Sequence, residues 1–347
     1  MPKKILVLRY RFIGDTLLTV PFLRNLRAAN PDSQIDMVVA PKSGEVIECC
    51  PYVDNFIYFD TTRKHKYENI DEKRKSFWSY VKLFREQKYD KAYVLKRSLS
   101  SALLVSLAGI KERIGFDTEG RGFLLTKRVK YDQSKHEVEC FLDVLRADGV
   151  EVKDNYLENW VSEEAAVKVD SLLELSCLND STKKVIVHAT ATNDGKLWPK
   201  EYFAKVIEYL SNVKDAQVLY IGTDFDKKYY DEIEKLIQSE LKIKPLNFCG
   251  QLSLQESLAL IEKSDLLVGN DSGNLHMASS VGTKVIGIYG PMPFEKWYAL
   301  GEGNILLRSN LPCMPCGLKK PCSLDKTCLK DISPEIVMKS IDEILVP

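Results

Sequence analysis

One short segment of the chain, residues 269–276 (GNDSGNLH), has residue types that suit the binding of a phosphate. The apolar run before it predicts a buried strand, and the run after it predicts a helix. Asp271, Ser272 and Gly273 then lie where the helix begins, and free backbone N–H groups and the positive end of the helix dipole favour an anion there. His276, one turn further on, could donate a hydrogen bond to a phosphate oxygen. The alternative interpretation is an ordinary helix cap.

A second candidate for chemistry is a carboxylate that follows the first predicted strand. Asp15 comes directly after Gly14 in the segment RFIGDTL, at the start of a predicted helix. The segment has one glycine and therefore lacks the G-x-G-x-x-G pattern of a dinucleotide site. A carboxylate in this position can take a proton from a hydroxyl group, which makes Asp15 a candidate general base. A helix cap is again the alternative.

Hydroxyl and basic side chains follow another predicted strand, in residues 187–199 (VHATATNDGKLWP). Thr190 comes just after the strand, and Lys196 lies between a glycine turn and the anchor formed by Trp198 and Pro199. This pattern suits a phosphate-binding loop in which Lys196 neutralises a departing diphosphate. A lone lysine in a loop is otherwise most often a solvated cation.

Two carboxylates follow the next predicted strand, within residues 220–226 (YIGTDFD). Asp224 and Asp226 lie where carboxylates bind ribose hydroxyls in nucleotide sites. Aspartate is also a favoured cap for the helix that follows, so the pattern is compatible with a purely structural role.

The elements that must position these residues alternate along the chain between short apolar strands and amphipathic helices. This alternation predicts an α/β protein with two doubly wound, Rossmann-like domains. We expect a first domain at 1–160, a linker region at 161–182, a second domain at 183–330 and a final helix at 331–347 that packs back on the first domain. Such sheets bind ligands at the carboxyl ends of their strands, so the site is expected in a cleft that the two domains face.

The composition is that of an ordinary globular protein, with 347 residues, 45% hydrophobic and 28% charged side chains, and no net charge. The charge is unevenly divided, because residues 1–150 hold 27 of the 49 Lys and Arg residues but 20 of the 49 Asp and Glu residues. The amino-terminal half is therefore the expected face for an anionic partner or a membrane surface, and no nucleic acid partner is expected. No apolar run is long enough to span a bilayer and the start lacks a signal-peptide core, so we expect a cytoplasmic protein.

Four of the nine cysteines, Cys313, Cys316, Cys322 and Cys328, lie close together near the end of the chain. The leading C-x-x-C has the spacing of metal ligands, and four thiols are enough for a tetrahedral zinc ion or an iron–sulfur cluster. The trailing pair is more widely spaced than usual. A structural zinc site, free thiols and a local disulfide all stay open as interpretations.

Three segments together resemble glycosyltransferase family 9, the heptosyltransferase family of lipopolysaccharide core assembly. They are Gly14-Asp15-Thr16-Leu17, then His188-Ala189-Thr190 with Lys196 and Trp198-Pro199, and finally Asp271-Ser272-Gly273 with His276 and residues 287–291 (GIYGP). Their order and spacing extend almost from end to end of the chain. The resemblance implies a glycosyltransferase B fold and an inverting transfer from a nucleotide-sugar donor, usually ADP-heptose, that needs no metal or other cofactor for catalysis.

The resemblance also implies roles for individual residues. Asp15 matches the general base that takes the proton of the acceptor hydroxyl, and Lys196 matches the lysine that contacts the donor phosphates. The remaining donor-binding residues are Thr190, Asp224, Asp226, Asp271, Ser272, Gly273 and His276. The chain departs from the family at Asp224 and Asp226, which stand where a glutamate is expected to hold the donor ribose, so nucleotide specificity stays open. It also has Ser272 where threonine is common, which keeps the hydroxyl.

The acceptor that the resemblance implies is an anionic, lipid-linked glycan at the cytoplasmic face of the inner membrane, where the enzyme would make peripheral contact. Basic residues of the amino-terminal half are candidates to bind it, namely Arg63, Lys64, Arg97 and Arg121, with Arg113 near another strand end. A solvated lysine-rich loop is the alternative for residues 63–75. Two other functions stay open, a nucleotide-sugar epimerase of the same fold and a non-catalytic nucleotide-sugar-binding protein.

Overall fold

The protein consists of two compact units, Met1–Asn159 and Trp160–Pro347. The structure is a computed structural model, and it describes residues 3–59, 75–179 and 181–345. Each unit contains one parallel sheet with helices packed against it, which confirms the prediction of two doubly wound α/β domains. Among the helices of the described residues, none is both long and apolar enough to cross a membrane.

The first unit is built on six parallel strands, with a helix after most of them. The strands are Lys4–Leu8 (β1), Gln34–Val39 (β2), Asn55–Tyr58 (β3), Lys91–Val94 (β4), Glu112–Phe116 (β5) and Lys127–Val129 (β6), in the order β3-β2-β1-β4-β5-β6. The helices are Ile13–Leu17 (α1), Val20–Ala29 (α2), Pro41–Glu45 (α3), Phe77–Gln87 (α4), Leu99–Leu107 (α5) and Glu137–Ala147 (α6). The central strand β1 is almost entirely apolar because it has a neighbour on each side and is buried within the sheet.

The first helical segment is interrupted, although the apolar spacing over residues 15–29 predicts one helix. The structure has α1 and α2 with two residues between them. Pro21 lies in the first turn of α2. It has no N–H to donate to the carbonyl one turn earlier, so a continuous helix would lose that hydrogen bond. The break leaves Asp15 in the first turn of the short α1, just beyond β1.

The second unit repeats the plan. Its strands are Lys184–His188 (β7), Gln217–Tyr220 (β8), Leu246–Asn247 (β9), Leu266–Asn270 (β10), Lys284–Tyr289 (β11) and Ile305–Arg308 (β12), in the order β12-β11-β10-β7-β8-β9. Its helices are Glu163–Leu175 (α7), Lys200–Asn212 (α8), Lys227–Glu234 (α9), Leu254–Glu262 (α10), Gly273–Ser280 (α11), Phe294–Trp297 (α12), Thr327–Lys330 (α13) and Pro334–Ile344 (α14). Single 3-10 turns occur at Asp194–Lys196 and Asp224–Asp226.

The final helix is part of the second unit, and the expectation that it packs back on the first domain stays a prediction. α14 packs against α8 and β11. Val337 and Ile341 on its apolar face are fully buried in the core of the second unit. An apolar stripe on a helix predicts that this face is buried, but it does not predict which elements cover it. Here the core of the second unit covers it. Helix α7, in the interval expected to be a linker, likewise packs against α10.

Candidate active site

Two neighbouring strands of the second unit carry residues expected to bind the donor. β7 and β10 pair in parallel, with His188 opposite Gly269 near their carboxyl ends. The loop with Thr190 and the turn at residues 271–273 therefore leave the same edge of the sheet side by side. A Cβ atom at Gly269 would lie 2.7 Å from the His188 carbonyl oxygen and 3.1 Å from its Cβ. Glycine at this position gives the histidine its room.

Lys196 lies against this turn. Its Nζ is 2.8 Å from Asp271 Oδ2 and 3.3 Å from the Asp271 carbonyl oxygen. The lysine and aspartate side chains are 19% and 8% exposed, so the ammonium group is the more accessible member of the pair. The short loop is held by Asn193, whose Oδ1 accepts a hydrogen bond from the Gly195 N–H at 2.9 Å. The structure thus brings a partly exposed positive charge to the turn assigned to the diphosphate.

Asn270, at the end of β10, connects the loops of this site and was missed by sequence reasoning. Its side chain is fully buried. Its Nδ2 donates to the Ala189 carbonyl at 2.7 Å, and its Oδ1 accepts from the Trp198 N–H at 3.0 Å. Trp198 is itself fully buried and donates through Nε1 to the Ile332 carbonyl at 2.9 Å. A polar residue at the end of an apolar strand was the available signal, because a buried amide needs partners for both its donor and its acceptor.

The turn after β10 leads into the N-terminus of α11, and its Asp271 N–H donates to the Ile288 carbonyl at 3.1 Å. Ser272 is the N-cap residue of α11, but its side chain makes no capping hydrogen bond. Gly273 begins the helix, whose first backbone N–H groups have no partner within the helix itself. Thr190 and His276 are both buried, the latter one turn into α11. An ordinary side-chain cap at Ser272 is therefore not what the structure shows, and the arrangement suits a phosphate.

The two carboxylates expected at the ribose have different environments. Asp226 Oδ2 accepts hydrogen bonds from the Thr223 N–H at 2.7 Å and from Thr223 Oγ1 at 2.8 Å, which closes a capping box. Asp224 pairs with Lys227 at 2.8 Å, and its side chain is 77% exposed. Asp226 thus has the capping role that was its structural alternative, and Asp224 is the accessible carboxylate.

In the first unit, Asp15 forms an ion pair with Arg9, another residue that sequence reasoning missed. Arg9 Nη2 is 2.5 Å from Asp15 Oδ2, and the side chains are 6% and 15% exposed. The guanidinium group also lies over the ring of Phe141 in α6, 5.3 Å from its centroid. An arginine at the end of an otherwise apolar strand was the signal, because a buried arginine requires an acceptor. The pair fixes the direction of the Asp15 carboxylate.

Two basic residues after β4, Lys96 and Arg97, lie at the edge of the first sheet where β1 ends. The Lys96 N–H donates to the Leu8 carbonyl at 3.0 Å, which ties this loop to the end of β1. Burial, followed by the charges of Arg9 and Arg11, lowers the pKa of Lys96 to about 8, although Asp15 acts in the opposite direction. The Arg97 guanidinium lies 3.9 Å from the centroid of the Tyr131 ring. Arg97 was an expected acceptor residue, whereas Lys96 was not identified from the sequence.

Two further basic residues of the first unit form hydrogen bonds to their own loops. Arg121 is fully buried, and its guanidinium donates to the Phe116 carbonyl and to Thr118 Oγ1. These hydrogen bonds hold its own loop, and the expected role of Arg121 in acceptor binding stays a prediction. Arg113 likewise donates to the carbonyls of residues 110 and 124. Arg63 and Lys64 lie outside the described residues.

The four clustered cysteines line a cavity of about 440 Å³ in the second unit. None of the nine cysteines, all within described residues, forms a disulfide. Burial and the three neighbouring thiols raise the pKa of Cys328, so the four groups are close enough to interact. In the described part of the chain, however, no three His, Cys, Asp or Glu side chains are arranged to hold a metal ion.

The cysteine segment contacts the loop that carries Lys196. Asn193 and Gly195 line the same cavity. A Cβ atom at Gly195 would lie 2.5 Å from Leu318 Cδ2, so the leucine packs directly on the glycine. Lys326 Nζ donates to the Asp194 carbonyl at 2.7 Å. The conformation of the cysteine segment is thereby coupled to the position of Lys196.

Solved structures resemble this chain over nearly its whole length. A glycosyl transferase of family 9 from Veillonella parvula has a TM-score of 0.84 and 24% identity, with 99% of this chain and 97% of that chain covered. The structure of E. coli ADP-heptose lps heptosyltransferase II has a TM-score of 0.78 and 23% identity, with 99% and 98% covered. These similarities show that the chain has the fold of the glycosyltransferase B heptosyltransferases.

Sequence comparison gives the family. Lipopolysaccharide heptosyltransferase 2 of Salmonella typhimurium is 27% identical over 295 residues, which is 83% of each chain. The model of glycosyltransferase family 9 (heptosyltransferase) matches residues 77–328, more than half of the sequence. The chain therefore belongs to glycosyltransferase family 9, the heptosyltransferase family, and is a glycosyltransferase.

Proposed function

We propose that the protein transfers heptose from ADP-heptose to a lipid-linked lipopolysaccharide core, with inversion at the anomeric carbon. The names of its relatives support this substrate pair, because they include a lipopolysaccharide heptosyltransferase 2 and an ADP-heptose lps heptosyltransferase II. The acceptor would be reached at the cytoplasmic face of the inner membrane by peripheral contact.

The observation that carries the proposal is the arrangement of Lys196, Asp271 and Ser272 at the start of α11. A nucleotide diphosphate gains negative charge as its bond to the sugar breaks. Preorganised donors and a fixed positive charge are the groups that stabilise such a leaving group. Here the helix N-terminus supplies N–H donors, Ser272 supplies a hydroxyl, and Lys196 supplies the charge 2.8 Å from Asp271. These groups account for the leaving group without a metal cofactor.

The other half of the reaction is assigned to Asp15. The acceptor hydroxyl oxygen forms a bond to the anomeric carbon, and the bond from that carbon to the diphosphate oxygen breaks, with its electron pair leaving on ADP. Asp15 takes the proton of the attacking hydroxyl. Arg9 holds the carboxylate in place through the 2.5 Å contact. The reaction requires these groups and the diphosphate-binding groups to contact the bound substrates at the same time.

The remaining donor contacts follow from the exposure of the candidate residues. Asp224 is the proposed partner of the ribose hydroxyls, because its carboxylate is 77% exposed while Asp226 closes the capping box. Thr190 and His276 contribute further groups at the diphosphate.

Consumption of the nucleotide-sugar donor tests the proposed function. A transferase releases ADP from ADP-heptose when the acceptor is present, an epimerase converts the donor alone, and a binding protein leaves it intact.

Lys96 and Arg97 are proposed to bind the anionic acceptor, and their pH dependence provides a test. Lys96, with a pKa of about 8, is mostly charged at pH 7 and mostly neutral at pH 9. The acceptor KM is therefore expected to rise by up to about tenfold over this range, and the donor KM much less. Lys96→Arg keeps its charge throughout and should flatten the rise. A steady-state pH profile of the variant that matches the unmodified protein would contradict the assignment.

The cysteine cluster is proposed to be a structural zinc site that assembles when the metal binds. Its donor set fits zinc, since four thiols line one cavity, although no ligand group is preassembled in the described residues. Sites of this kind commonly form only together with the ion. Protein purified without chelator is expected to contain about one zinc ion per chain. Because the segment packs on the Lys196 loop, removal of the metal should also weaken ADP binding.

Cys316→Ser is the informative variant for this site, with the exposed Cys177→Ser as its matched control. The first should lower both the zinc content and the melting temperature, and the second should change neither. Metal analysis that finds no bound ion, together with four titratable thiols or a disulfide in the segment, would exclude the zinc site.

A further inference from the structure

His188 is a buried polar group beside the donor site, and none of the roles assigned above uses it. It is 5% exposed at the end of β7. Burial lowers its pKa to about 4, although Asp226 and its own backbone carbonyl act in the opposite direction. The ring is therefore neutral at physiological pH, with one nitrogen that donates and one that accepts.

The neighbours of the two ring nitrogens decide which one carries the proton. Asn274 Nδ2 is 2.7 Å from Nε2, and Thr190 Oγ1 is 3.4 Å from the same atom. An amide N–H can only donate, so the short contact requires Nε2 to be the acceptor. The proton then resides on Nδ1, which lies 3.4 Å from Ser272 Oγ.

The direction of the hydrogen bond at Ser272 follows from this tautomer. An Nδ1–H group donates to Ser272 Oγ, so the serine proton must point elsewhere. Ser272 is the N-cap residue of α11, and its Oγ accepts no capping hydrogen bond from a backbone N–H. Since Nδ1–H is the donor in the contact with His188, the serine proton can be donated to a ligand at the helix N-terminus. In the opposite tautomer, Nδ1 would accept the serine proton and turn it away from the ligand.

We propose that His188 is a positioning residue: held as the Nδ1–H tautomer by Asn274, it donates to Ser272 Oγ and directs the Ser272 proton to the donor diphosphate. The inference rests on the proposed function, in which Ser272 contacts that diphosphate. Residues on either side of Ser272 support His188, since Gly269 leaves room for its backbone and Cβ, and Asn274 fixes the position of its ring proton.

The test is a double-mutant cycle read by the affinity for ADP, measured by calorimetry. Ser272→Ala is expected to weaken ADP binding by about tenfold, the effect of one lost hydrogen bond to a charged group. His188→Phe should weaken it by a similar factor, and the double variant by no more than either single one, because both remove the same interaction. His188→Asn places an amide near the Nδ1 position and should restore most of the affinity.

Two results separate the inference from the proposed function. If Ser272→Ala leaves the ADP affinity unchanged, the diphosphate contact itself is wrong and the inference is overturned with it. If Ser272→Ala weakens binding but His188→Phe does not, or the two effects multiply, the positioning role alone is overturned. The control for loss of stability is His136→Phe, which replaces a buried histidine of the first unit. This variant should leave ADP binding intact.

A measurement on the unmodified protein guards against variants that fail to fold. Nitrogen-15 NMR of labelled histidine distinguishes a protonated Nδ1 from a protonated Nε2. We expect the Nδ1–H form for His188, and a mixture of both forms in Asn274→Leu, which removes the amide donor. Detection of the Nε2–H form in the unmodified protein would overturn the proposal.

Discussion

Replacing Asp15 with asparagine is expected to lower turnover by about 10²–10⁴ while the affinity for ADP stays within about twofold. The amide cannot take the proton of the acceptor hydroxyl, so the bond to the anomeric carbon must form without general-base assistance. ADP binding is spared because the diphosphate-binding groups belong to the second unit, whereas Asp15 lies in the first. Turnover at saturating substrates and calorimetric ADP binding measure the two effects.

The ion pair with Arg9 makes a stability control necessary for this variant. Loss of the carboxylate leaves a guanidinium that is 6% exposed without its counter-charge, which costs up to about 3–5 kcal/mol of unfolding free energy. Asp54→Asn breaks another arginine pair of the first unit, Arg27 with Asp54 at 2.6 Å, and serves as the matched control. It should lower the melting temperature without affecting turnover. More than about a tenth of normal turnover in folded Asp15→Asn would exclude general-base catalysis by this residue.

Replacing Lys196 with methionine is expected to reduce turnover by about 10²–10³ and to weaken ADP binding as well. The charge of Lys196 acts on the diphosphate in the ground state and more strongly as negative charge develops on it. The substitution also leaves the Asp271 carboxylate, which is 8% exposed, next to the diphosphate without a partner. Repulsion between these anions adds to the loss.

A second substitution separates catalysis from structure at this pair. Lys196→Met combined with Asp271→Asn removes the unpaired carboxylate, so the melting temperature should recover while turnover stays low. Lys200→Met is the control, because Lys200 lies near Lys196 in the sequence and forms a more exposed ion pair, with Glu232. Exposed pairs of this kind contribute about 0–1 kcal/mol to the free energy of unfolding. Recovery of turnover in the double variant would show that Lys196 only neutralises Asp271.

The sequence predicted the type and order of the long elements because these have strong periodicity. The apolar patterns over residues 77–87, 184–188 and 284–289 predict one helix and two strands, and helix α4 and strands β7 and β11 have these bounds. The short strands β5, β6, β9 and β12 were not identified, since each has only two to five residues and therefore shows no clear period; all but β9 also contain charged side chains. The break between α1 and α2 depends on Pro21, a local signal that a periodicity argument overlooks.

Within the site, the sequence predicted where a residue lies along the backbone, but it did not predict which groups a buried side chain contacts. Asp15 lies in the first turn of α1 and Ser272 is the N-cap residue of α11, and both positions follow from the predicted boundaries of strands and helices. The burial of Arg121 does not, because it depends on carbonyl groups of its own loop. The same is true of Arg9, whose partner lies across the turn after β1. It is also true of His188, whose hydrogen-bond partners come from α11, its N-cap residue and the loop after β7.

Heptosyl transfer to a lipid-linked lipopolysaccharide core acceptor is the reaction assigned to this protein, and its product can be measured. The purified protein, ADP-heptose and the acceptor are incubated, and the glycan product is analysed by mass spectrometry and its anomeric configuration by NMR. We expect an acceptor heavier by one heptose, with inverted configuration and one ADP released per product, and almost no product with Asp15→Asn. No acceptor product despite bound ADP-heptose, or product with retained configuration, would contradict it.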